Sequence, residues 1–452
     1  MPISPARFLA DVAALARALP ARGHVLNVCA DRYRFSVGLA AALLRGQISL
    51  LPPSTNREMV RQLAARFPDA YCLTETPTRD FDLPQTLYLD AGAEVADADP
   101  LAMPTIAIDS TVAYVFTSGS TGTPVPHKKR WGALVENVRA AAERLGIAGR
   151  VEDDLAIIAT VPPQHMYGLE SSVLLAWQSG AALVAERPFY PADIVAALKR
   201  LPGRRMLVTT PFHLRTLLAD NVVLPSVELV LSATAPLSPE LAAEAEQRLR
   251  APLLEIYGCT ETGQIASRRP TETLAWRLLG DVSLTEVEGV ARVSGGHVDE
   301  PTELADVIEL AANFSATREF TLVGRSADMV NIAGKRSSLG YLNTQLNAID
   351  GVVDGAFFMP DDAGSGHSGG VTRIAAVVVA PTLDAKRIAD ALRTRIDPVF
   401  LPRPIYFVGA LPRNATGKLT RAMLDELSAR GVRSNAAHES HESPERDPGL
   451  PR

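Results

Sequence analysis

The chain has 452 residues, 47% of them hydrophobic, so it can bury a sizeable core and is expected to form more than one domain. Its 45 Lys and Arg against 51 Asp and Glu give a formal net charge of −6, which argues against nucleic acid or an anionic membrane as the main partner. The three cysteines (Cys29, Cys72 and Cys259) have no CxxC spacing, the N-terminus has no signal-peptide pattern, and no apolar run reaches about 18 residues. These observations predict a cytoplasmic protein without a membrane span.

Residues 1–100 show alternating helical and strand patterns. Apolar spacing predicts helices at 6–19, 35–44 and 57–67, and strands at 24–29 and 70–73. The Ala-, Asp- and Pro-rich stretch 90–104 is expected to be a connection. No catalytic constellation is found in this region.

From residue 111 the alternation of strands and helices becomes regular. A strand at 111–116 precedes a small-residue loop at 117–124 (TSGSTGTP), and helical spacing follows at 131–145. Further strands are predicted at 155–161, 181–185, 206–210, 227–231 and 253–257. This pattern predicts an α/β fold with largely parallel sheets and helices on their faces. The loops at 162–168, 232–237 and 258–262 also follow predicted strands, where ligands bind in such sheets.

The loop at 117–124 has the composition of a phosphate-binding loop. Glycines allow a close approach of the backbone, while hydroxyl and exposed N–H groups can donate hydrogen bonds to an anion. It is not a Walker A loop, because Pro124 follows Gly119 by five residues and His127 follows Gly122 by five. An ordinary Ser/Thr/Gly turn remains the alternative on composition alone.

Four segments, in order along the chain, resemble the motifs of the adenylate-forming superfamily of acyl-CoA synthetases, peptide-synthetase adenylation domains and luciferases. They are 117–124, 257–261 (YGCTE), 324–328 (GRSAD) and 412–418 (PRNATGK). The resemblance implies a large N-terminal adenylation core of βα-layered sheets at 1–323 and a small, mobile α+β lid domain at 324–430. Residues 431–452 lack apolar periodicity and are expected to be disordered.

The resemblance also implies a role for each matched residue. Lys418, Glu261, Thr260 and His165 form the catalytic group: Lys418 enters the site during adenylation, the Thr260 hydroxyl meets the α-phosphate and Glu261 helps to hold Mg²⁺. His165, Met166, Gly168 and Cys259 are expected to line the acid pocket. The implied ATP-binding residues are Thr117, Ser118, Gly119, Ser120, Thr121 and Gly122 at the phosphates, Ser232, Ala233, Thr234, Tyr257 and Gly258 around adenine, and Asp306 and Arg325 at the ribose.

The implied reaction joins a carboxylic acid to a thiol through an acyl-adenylate, with ATP and Mg²⁺ as cofactors. Met166 stands near the place where amino-acid adenylation domains usually hold an Asp, and an apolar side chain cannot pair with a substrate ammonium. An acyl or aryl acid is therefore favoured over an amino acid, although a stand-alone amino-acid adenylation enzyme and a non-catalytic nucleotide-binding homologue remain alternatives. Retention of both Glu261 and Lys418 argues against the non-catalytic alternative.

Segments at 26–35, 50–54, 163–169 and 329–336 resemble the short aryl acid ligases of bacterial aryl-polyene and xanthomonadin-type pigment clusters. This implies a hydroxyaryl acid, such as a hydroxybenzoate, and a phosphopantetheine thiol of CoA or of an acyl carrier protein as its acceptor. The chain departs from the superfamily after Pro124, where Val125 replaces the usual Lys. Lys128 or Lys129 is expected to supply the charge, unless pyrophosphate is held differently.

Overall fold

The computed structural model describes residues 2–77, 81–88, 103–118, 124–149, 154–220, 222–287, 290–325, 329–332, 335–360, 374–413, 419, 423–424 and 426–427. Contacts divide the chain into two compact units. The first contains the residues up to Leu304 together with Glu309–Leu322, and the second contains Ala305–Ile308 and the residues from Val323 onward. The roles of adenylation core and mobile lid remain predictions, and the tail at 431–452 lies outside the described residues.

The first unit begins with a six-stranded sheet and three helices. Its helices are α1 (Pro5–Ala18), α2 (Arg32–Leu44) and α3 (Arg57–Arg66), and the side chains of Ser4, Asp31 and Asn56 cap their N-termini. The strands are β1 (His24–Asn27), β2 (Ile48–Leu51), β3 (Ala70–Thr74), β4 (Gln85–Leu87), β5 (Thr111–Ser118) and β6 (Pro124–Arg130), in the spatial order β4-β3-β1-β2-β5-β6.

One predicted local geometry is wrong. The small-residue loop does not lead into a helix, because β6 follows it and pairs antiparallel with β5 from Thr117↔Val125 to Thr111↔Arg130. The helix α4 (Trp131–Arg144) begins only after this strand. The loop therefore joins two strands of a hairpin and does not open a helix N-terminus.

The remaining strands of the central region follow in chain order: β7 (Leu155–Ala159), β8 (Ala182–Leu183), β9 (Arg204–Thr209), β10 (Leu229–Ser232), β11 (Leu253–Cys259), β12 (Gly263–Arg268), β13 (Trp276–Leu278), β14 (Ser283–Val287), β15 (Val290–Gly295), β16 (Val298–Glu303), β17 (Asp306–Leu310) and β18 (Glu319–Arg325). A nine-stranded sheet has the order β17-β18-β13-β12-β11-β10-β9-β7-β8, and β14-β15-β16 form a small antiparallel sheet. Strands β14 and β15 pair from Val287↔Val290 to Ser283↔Ser294 and so form a hairpin on either side of residues 288–289.

Helices cover both faces of the nine-stranded sheet. They are α5 (Met166–Gly168), which continues through a π-helical segment (Leu169–Leu174) into α6 (Leu175–Ser179), then α7 (Pro191–Arg200), α8 (Pro211–Ala219), α9 (Pro239–Leu249) and the short α10 (Phe314–Thr317). Alternate strand residues enter two different cores, Ile157 and Val208 on one face and Ile158 and Leu207 on the other. The predicted α/β class is confirmed.

The second unit has its own core. It contains a hairpin of β19 (Met329–Ile332) and β20 (Lys335–Ser338), the helices α11 (Leu339–Asn347) and α12 (Ala385–Arg393), a 3₁₀ turn (Pro398–Phe400), and a sheet of β21 (Asp354–Phe358), β22 (Ala375–Val379) and β23 (Ile405–Phe407). Arg413 pairs with Asp354 through two hydrogen bonds of 2.7 Å. No helix in the described part of either unit has the length and apolarity needed to cross a bilayer.

Candidate active site

Three of the predicted loops share one edge of the nine-stranded sheet. Strands β7, β9, β10 and β11 are parallel neighbours, so their carboxyl ends lie on the same side. The loops that follow β7, β10 and β11 carry the predicted acid-pocket, adenine and metal residues. This edge is where ligands bind in open α/β sheets.

The hairpin of β5 and β6 brings polar side chains to the turn that carries Glu261. His127 Nε2 lies 2.9 Å from Thr117 Oγ1 and 3.5 Å from Glu261 Oε1. Burial lowers the pKa of His127, while the Glu261 carboxylate opposes this shift. A predicted phosphate-loop residue and the predicted metal ligand are therefore joined by one imidazole.

Lys129, on β6, contacts the same turn. Its side chain is buried, with 7% of the residue exposed, and Nζ donates a 2.9 Å hydrogen bond to the main-chain oxygen of Glu261. Burial lowers the pKa of Lys129, and Glu170 is the first of the acidic groups that oppose the shift. Its neighbour Lys128 is exposed. Of the two lysines proposed for the phosphate loop, Lys129 is already engaged by the Glu261 turn.

Glu170 is a buried carboxyl group in the π-helical segment. Burial raises its pKa to about 7, although Lys129 and a hydrogen bond from Gln264 act in the opposite direction. Nearby, Gln264 Nε2 donates to Ser171 Oγ at 2.9 Å. A Cβ atom added to Gly263 would lie 2.8 Å from Glu170 Oε1. The Glu170 carboxyl group therefore packs directly against the end of the turn that carries Glu261.

The segment from Tyr257 to Thr262 shapes this turn. Strand β11 shifts register against β12 between Tyr257 and Gly258, and a side chain at Gly258 would meet the Gly263 carbonyl oxygen at 2.0 Å. Tyr257 packs against Trp276 with ring centroids 5.5 Å apart. Cys259 Sγ lies 3.2 Å from Thr262 Oγ1, and burial raises the pKa of its thiol, so the side chain has the character of a small wall residue and not of a nucleophile. Thr260 is half-buried in the turn, and Glu261 is exposed.

The predicted pocket loop at 162–168 ends in a helix. His165 is the N-cap of α5, and its Nδ1 accepts a 3.3 Å hydrogen bond from the Tyr167 N–H. Met166 is buried, and Gly168 packs so closely that an added Cβ would lie 2.0 Å from the Pro162 carbonyl oxygen. The loop also contacts the segment that follows β1, because Gln164 Nε2 donates a 2.7 Å hydrogen bond to the Cys29 carbonyl oxygen.

The predicted adenine segment begins at the end of β10. Ser232 and Ala233 are buried, and Ser232 Oγ has no hydrogen-bond partner among the described residues. Thr234 has a φ of 82°, a left-handed conformation that is costly for a β-branched residue. Backbone strain of this kind is concentrated at ligand sites, which agrees with the predicted role of the segment.

The other predicted site residues are placed only in part. Asp306 begins β17 and belongs to the second contact unit; Arg325 ends β18, and its side chain lies outside the described part. Ser118 ends β5, with a main chain that pairs with Pro124. Gly119, Ser120, Thr121, Gly122 and Lys418 lie outside the described residues.

Sequence reasoning missed His127 and Glu170 and did not assign Lys129 to the turn. His127 and Lys129 come to Glu261 only through the pairing of β5 with β6, which no motif announces. Glu170 is the only Asp, Glu, Lys or Arg between Asp154 and Glu186 in the sequence, and this isolated carboxylate is the available signal.

The Glu261 carboxylate suits Mg²⁺. This ion is usually held by one or two carboxylates, waters and substrate phosphates and not by a complete protein cage. Within the described ranges, no group of three or more His, Cys, Asp or Glu side chains could hold a metal ion. A single exposed carboxylate, joined through His127 to Thr117 of the predicted phosphate loop, therefore fits a metal that arrives with ATP.

The sequence profile of a family described as "AMP-binding enzyme" matches residues 59–285, about half of the chain. The chain belongs to this family. The match includes the β5–β6 hairpin, the predicted acid-pocket segment and the Glu261 turn. An AMP-binding enzyme of this kind is an AMP-forming acid–thiol ligase that uses ATP.

Individual relatives agree with this class. The chain is 29% identical over 311 residues to a 4-coumarate–CoA ligase of Halorhodospira halophila, covering 67% of this chain and 73% of the relative. It is 29% identical over 339 residues to a probable 2-succinylbenzoate–CoA ligase of Mycobacterium tuberculosis, covering 70% and 85%. The fold is similar to the structure of ATP-bound MatB from Rhodopseudomonas palustris, with a TM-score of 0.77, 20% identity and 94% and 93% coverage.

Proposed function

We propose that this ligase activates an aryl carboxylic acid with an uncharged tail, a hydroxybenzoate-like acid. The observation that carries the proposal is Met166, which is buried, with 6% of the residue exposed, at the start of the pocket helix. A substrate ammonium placed beside it would lose its hydration without gaining an anionic partner, at a cost of several kcal/mol. Burial of an uncharged aromatic ring beside Met166 has no such desolvation cost.

Two further observations support an aryl acid. The relatives named above carry the names of aromatic acids, coumarate and succinylbenzoate. Four segments of this chain also resemble the aryl acid ligases of pigment clusters, among them 163–169 around Met166. The thiol acceptor in this proposal is the phosphopantetheine of CoA or of an acyl carrier protein.

The proposed chemistry has two steps. A carboxylate oxygen of the acid attacks the α-phosphorus of ATP, and the bond to the β-phosphate oxygen breaks, which releases pyrophosphate. The thiol sulfur, after losing its proton, then attacks the acyl carbon and AMP leaves. The protein supplies no nucleophile; it positions the reactants and neutralises charge. Thr260 would donate to the α-phosphate, and Glu261 would hold Mg²⁺, which neutralises phosphate charge when bound.

The test is a screen of ATP–pyrophosphate exchange over hydroxybenzoates and other aryl acids, fatty acids and α-amino acids. We expect aryl acids to support exchange and amino acids not to. Exchange with amino acids alone would overturn the substrate proposal, and no exchange with any acid would favour a non-catalytic nucleotide-binding protein. Thioester formation with the active acid, measured separately with CoA and with a carrier protein, then assigns the acceptor.

A further inference from the structure

Lys129 is a buried cation at the centre of the site, and the chemistry outlined above gives it no task. Its ammonium donates to the main-chain oxygen of Glu261 across 132 positions of sequence. The residue belongs to β6, whereas Glu261 lies in the turn between β11 and β12, so this hydrogen bond joins the two large sheets. It fixes the main chain of the residue that is predicted to hold the metal.

A buried ammonium needs a counter-charge, because its desolvation otherwise costs several kcal/mol. Among the carboxylates around it, Glu170 contributes most to stabilising the charged form, ahead of Glu261 and Asp299. Glu170 is itself 2% exposed and packs against the position of Gly263, two residues beyond Glu261. The Lys129 ammonium and the Glu170 carboxyl group therefore both pack against the segment from Glu261 to Gly263.

The neighbours of Lys129 on the same strand do not share its position. Val125 is 46% exposed, and Lys128 is exposed on the other face of β6. Of the side chains on β6, Lys129 is the one whose charged end is tied to the Glu261 main chain.

We propose that Lys129 is a positioning residue for adenylation, which holds the Thr260–Glu261 turn in the geometry that receives Mg²⁺ and ATP, with Glu170 as its counter-charge. The inference rests on the proposed function, in which Glu261 is the metal ligand. Lys129 acts through the main chain of the turn and touches neither the acid nor the nucleotide. Its loss should therefore weaken the use of Mg²⁺ and ATP and leave binding of the acid unchanged.

The test compares Lys129→Met, Glu170→Gln and the double variant, with Lys199→Met, at an exposed lysine in the last turn of α7, as the surface control. Each full-length protein is assayed by ATP–pyrophosphate exchange for the KM of Mg·ATP and the KM of the acid, and its melting temperature is recorded. Either single change leaves one buried charge without its partner and should lower the melting temperature. Because a loss of stability in Lys129→Met would by itself affect activity, the decisive variant is the double one, in which both ionisable groups are removed.

We expect Glu170→Gln to melt at a lower temperature but to keep its KM for Mg·ATP, since the hydrogen bond to Glu261 remains. The double variant should recover much of the melting temperature and still show a KM for Mg·ATP raised about tenfold or more, the effect of losing one charged hydrogen bond. The KM for the acid should stay within about twofold of the wild-type value.

The inference would be overturned if the double variant recovered both the wild-type melting temperature and the wild-type KM for Mg·ATP. Lys129 would then serve only to balance the charge of Glu170 within the fold. An equal effect of Lys199→Met would overturn it as well and would indicate a general effect of surface charge. The wild-type protein separates the two proposals: absence of exchange in wild type refutes the proposed function, whereas an active wild type together with a double variant whose KM for Mg·ATP is unchanged refutes only the role of Lys129.

Discussion

At the scale of single residues, Glu261 is held in two different ways. Its carboxylate faces the His127 imidazole at 3.5 Å, while its main-chain oxygen accepts from Lys129 at 2.9 Å. The carboxylate is exposed and can turn towards a cation, but the backbone that carries it is fixed from the interior. A ligand held in place before the metal arrives loses less conformational freedom on binding, which is the advantage of a preorganised site.

The corresponding prediction concerns Glu261→Gln. The amide keeps the shape of the side chain but removes the charge that holds Mg²⁺, so adenylation should slow about a hundredfold or more. The fold should be unaffected, because a pair at the protein surface such as exposed Glu261 with half-buried His127 contributes little stability. ATP–pyrophosphate exchange measured over a range of Mg²⁺ concentrations, together with a melting curve, checks both parts. Unchanged exchange at limiting Mg²⁺ would remove Glu261 from the site.

At the scale of elements, the sequence predicts the buried parallel strands well because their signal is local. Strands β7, β9 and β10 are short apolar runs, and the structure has them within three residues of the predicted bounds. β6 could not be found in this way. Its polarity is reversed, with Val125 exposed and Lys129 buried, so hydrophobic alternation gives no indication of its faces. The strand exists because β5 offers a pairing edge, and that is a tertiary effect.

The same limit applies to the site. The motif around Tyr257 and Glu261 predicts the turn from nearby residues, because a glycine, a hydroxyl and a carboxylate stand in sequence. The partners of that turn, His127 and Glu170, are 134 and 91 positions away and carry no motif. The segment 162–168 is predicted only as a loop after a strand, and the structure adds a helical turn at its end that His165 caps. Motifs therefore predict which residues contact the substrate. The residues that fix those side chains in position are determined by tertiary packing.

Helix α8 provides a prediction on pH. His213, in its first turn, is buried, and Nδ1 lies 2.8 Å from the hydroxyl of the N-cap Thr210. Burial, assisted by Arg187, lowers the pKa of His213 to about 4. In the unfolded chain the His213 imidazole has a pKa of about 6.5, so it takes up a proton there before it does in the folded protein. The contribution of neutral His213 to the free energy of unfolding is therefore fully present above about pH 6.5 and is lost as the pH falls to about 4. The loss from this one residue should be about 3 kcal/mol.

The measurement is unfolding by urea between pH 6.5 and pH 4.5 for wild type and His213→Gln. The variant cannot take up this proton, so its stability should fall less steeply over the interval, even if it is lower at pH 6.5. Parallel curves for the two proteins would show that His213 is not among the groups that drive acid unfolding.

At the scale of the whole molecule, the family match and the two contact units cover different parts of the chain. The match at 59–285 lies within the first unit, which contains the sheet edge with the three predicted loops. The second unit is a compact α+β body with an independent core around Leu342, Val378 and Ile388. Its assignment as a lid rests on the motifs at 324–328 and 412–418, which lie largely outside the described residues. The role of the second unit is therefore tested by measuring how a substitution in it changes each half-reaction.

Lys418 allows such a test. In the reaction proposed here, negative charge builds up between the attacking carboxylate and the α-phosphate, and an ammonium placed there would stabilise it. Loss of one preorganised charge of this kind costs on the order of 3–4 kcal/mol, a hundredfold or more in rate. The attack of a thiol on a finished acyl-adenylate forms no such pentacoordinate phosphorus and should not need this charge.

We therefore expect Lys418→Ala to lose most of its adenylation activity and to keep thioester formation from a synthetic acyl-adenylate. The two half-reactions are measured separately, by ATP–pyrophosphate exchange and by transfer of the acyl group to the thiol that serves the wild-type enzyme. Lys386→Ala, an exposed lysine on α12, serves as the control and should leave both rates unchanged. Equal loss of both half-reactions in Lys418→Ala would point to damage to the fold of the second unit. Full activity in both would make Lys418 a solvated surface residue, because a charge that stabilises the adenylation transition state cannot be removed without slowing that step.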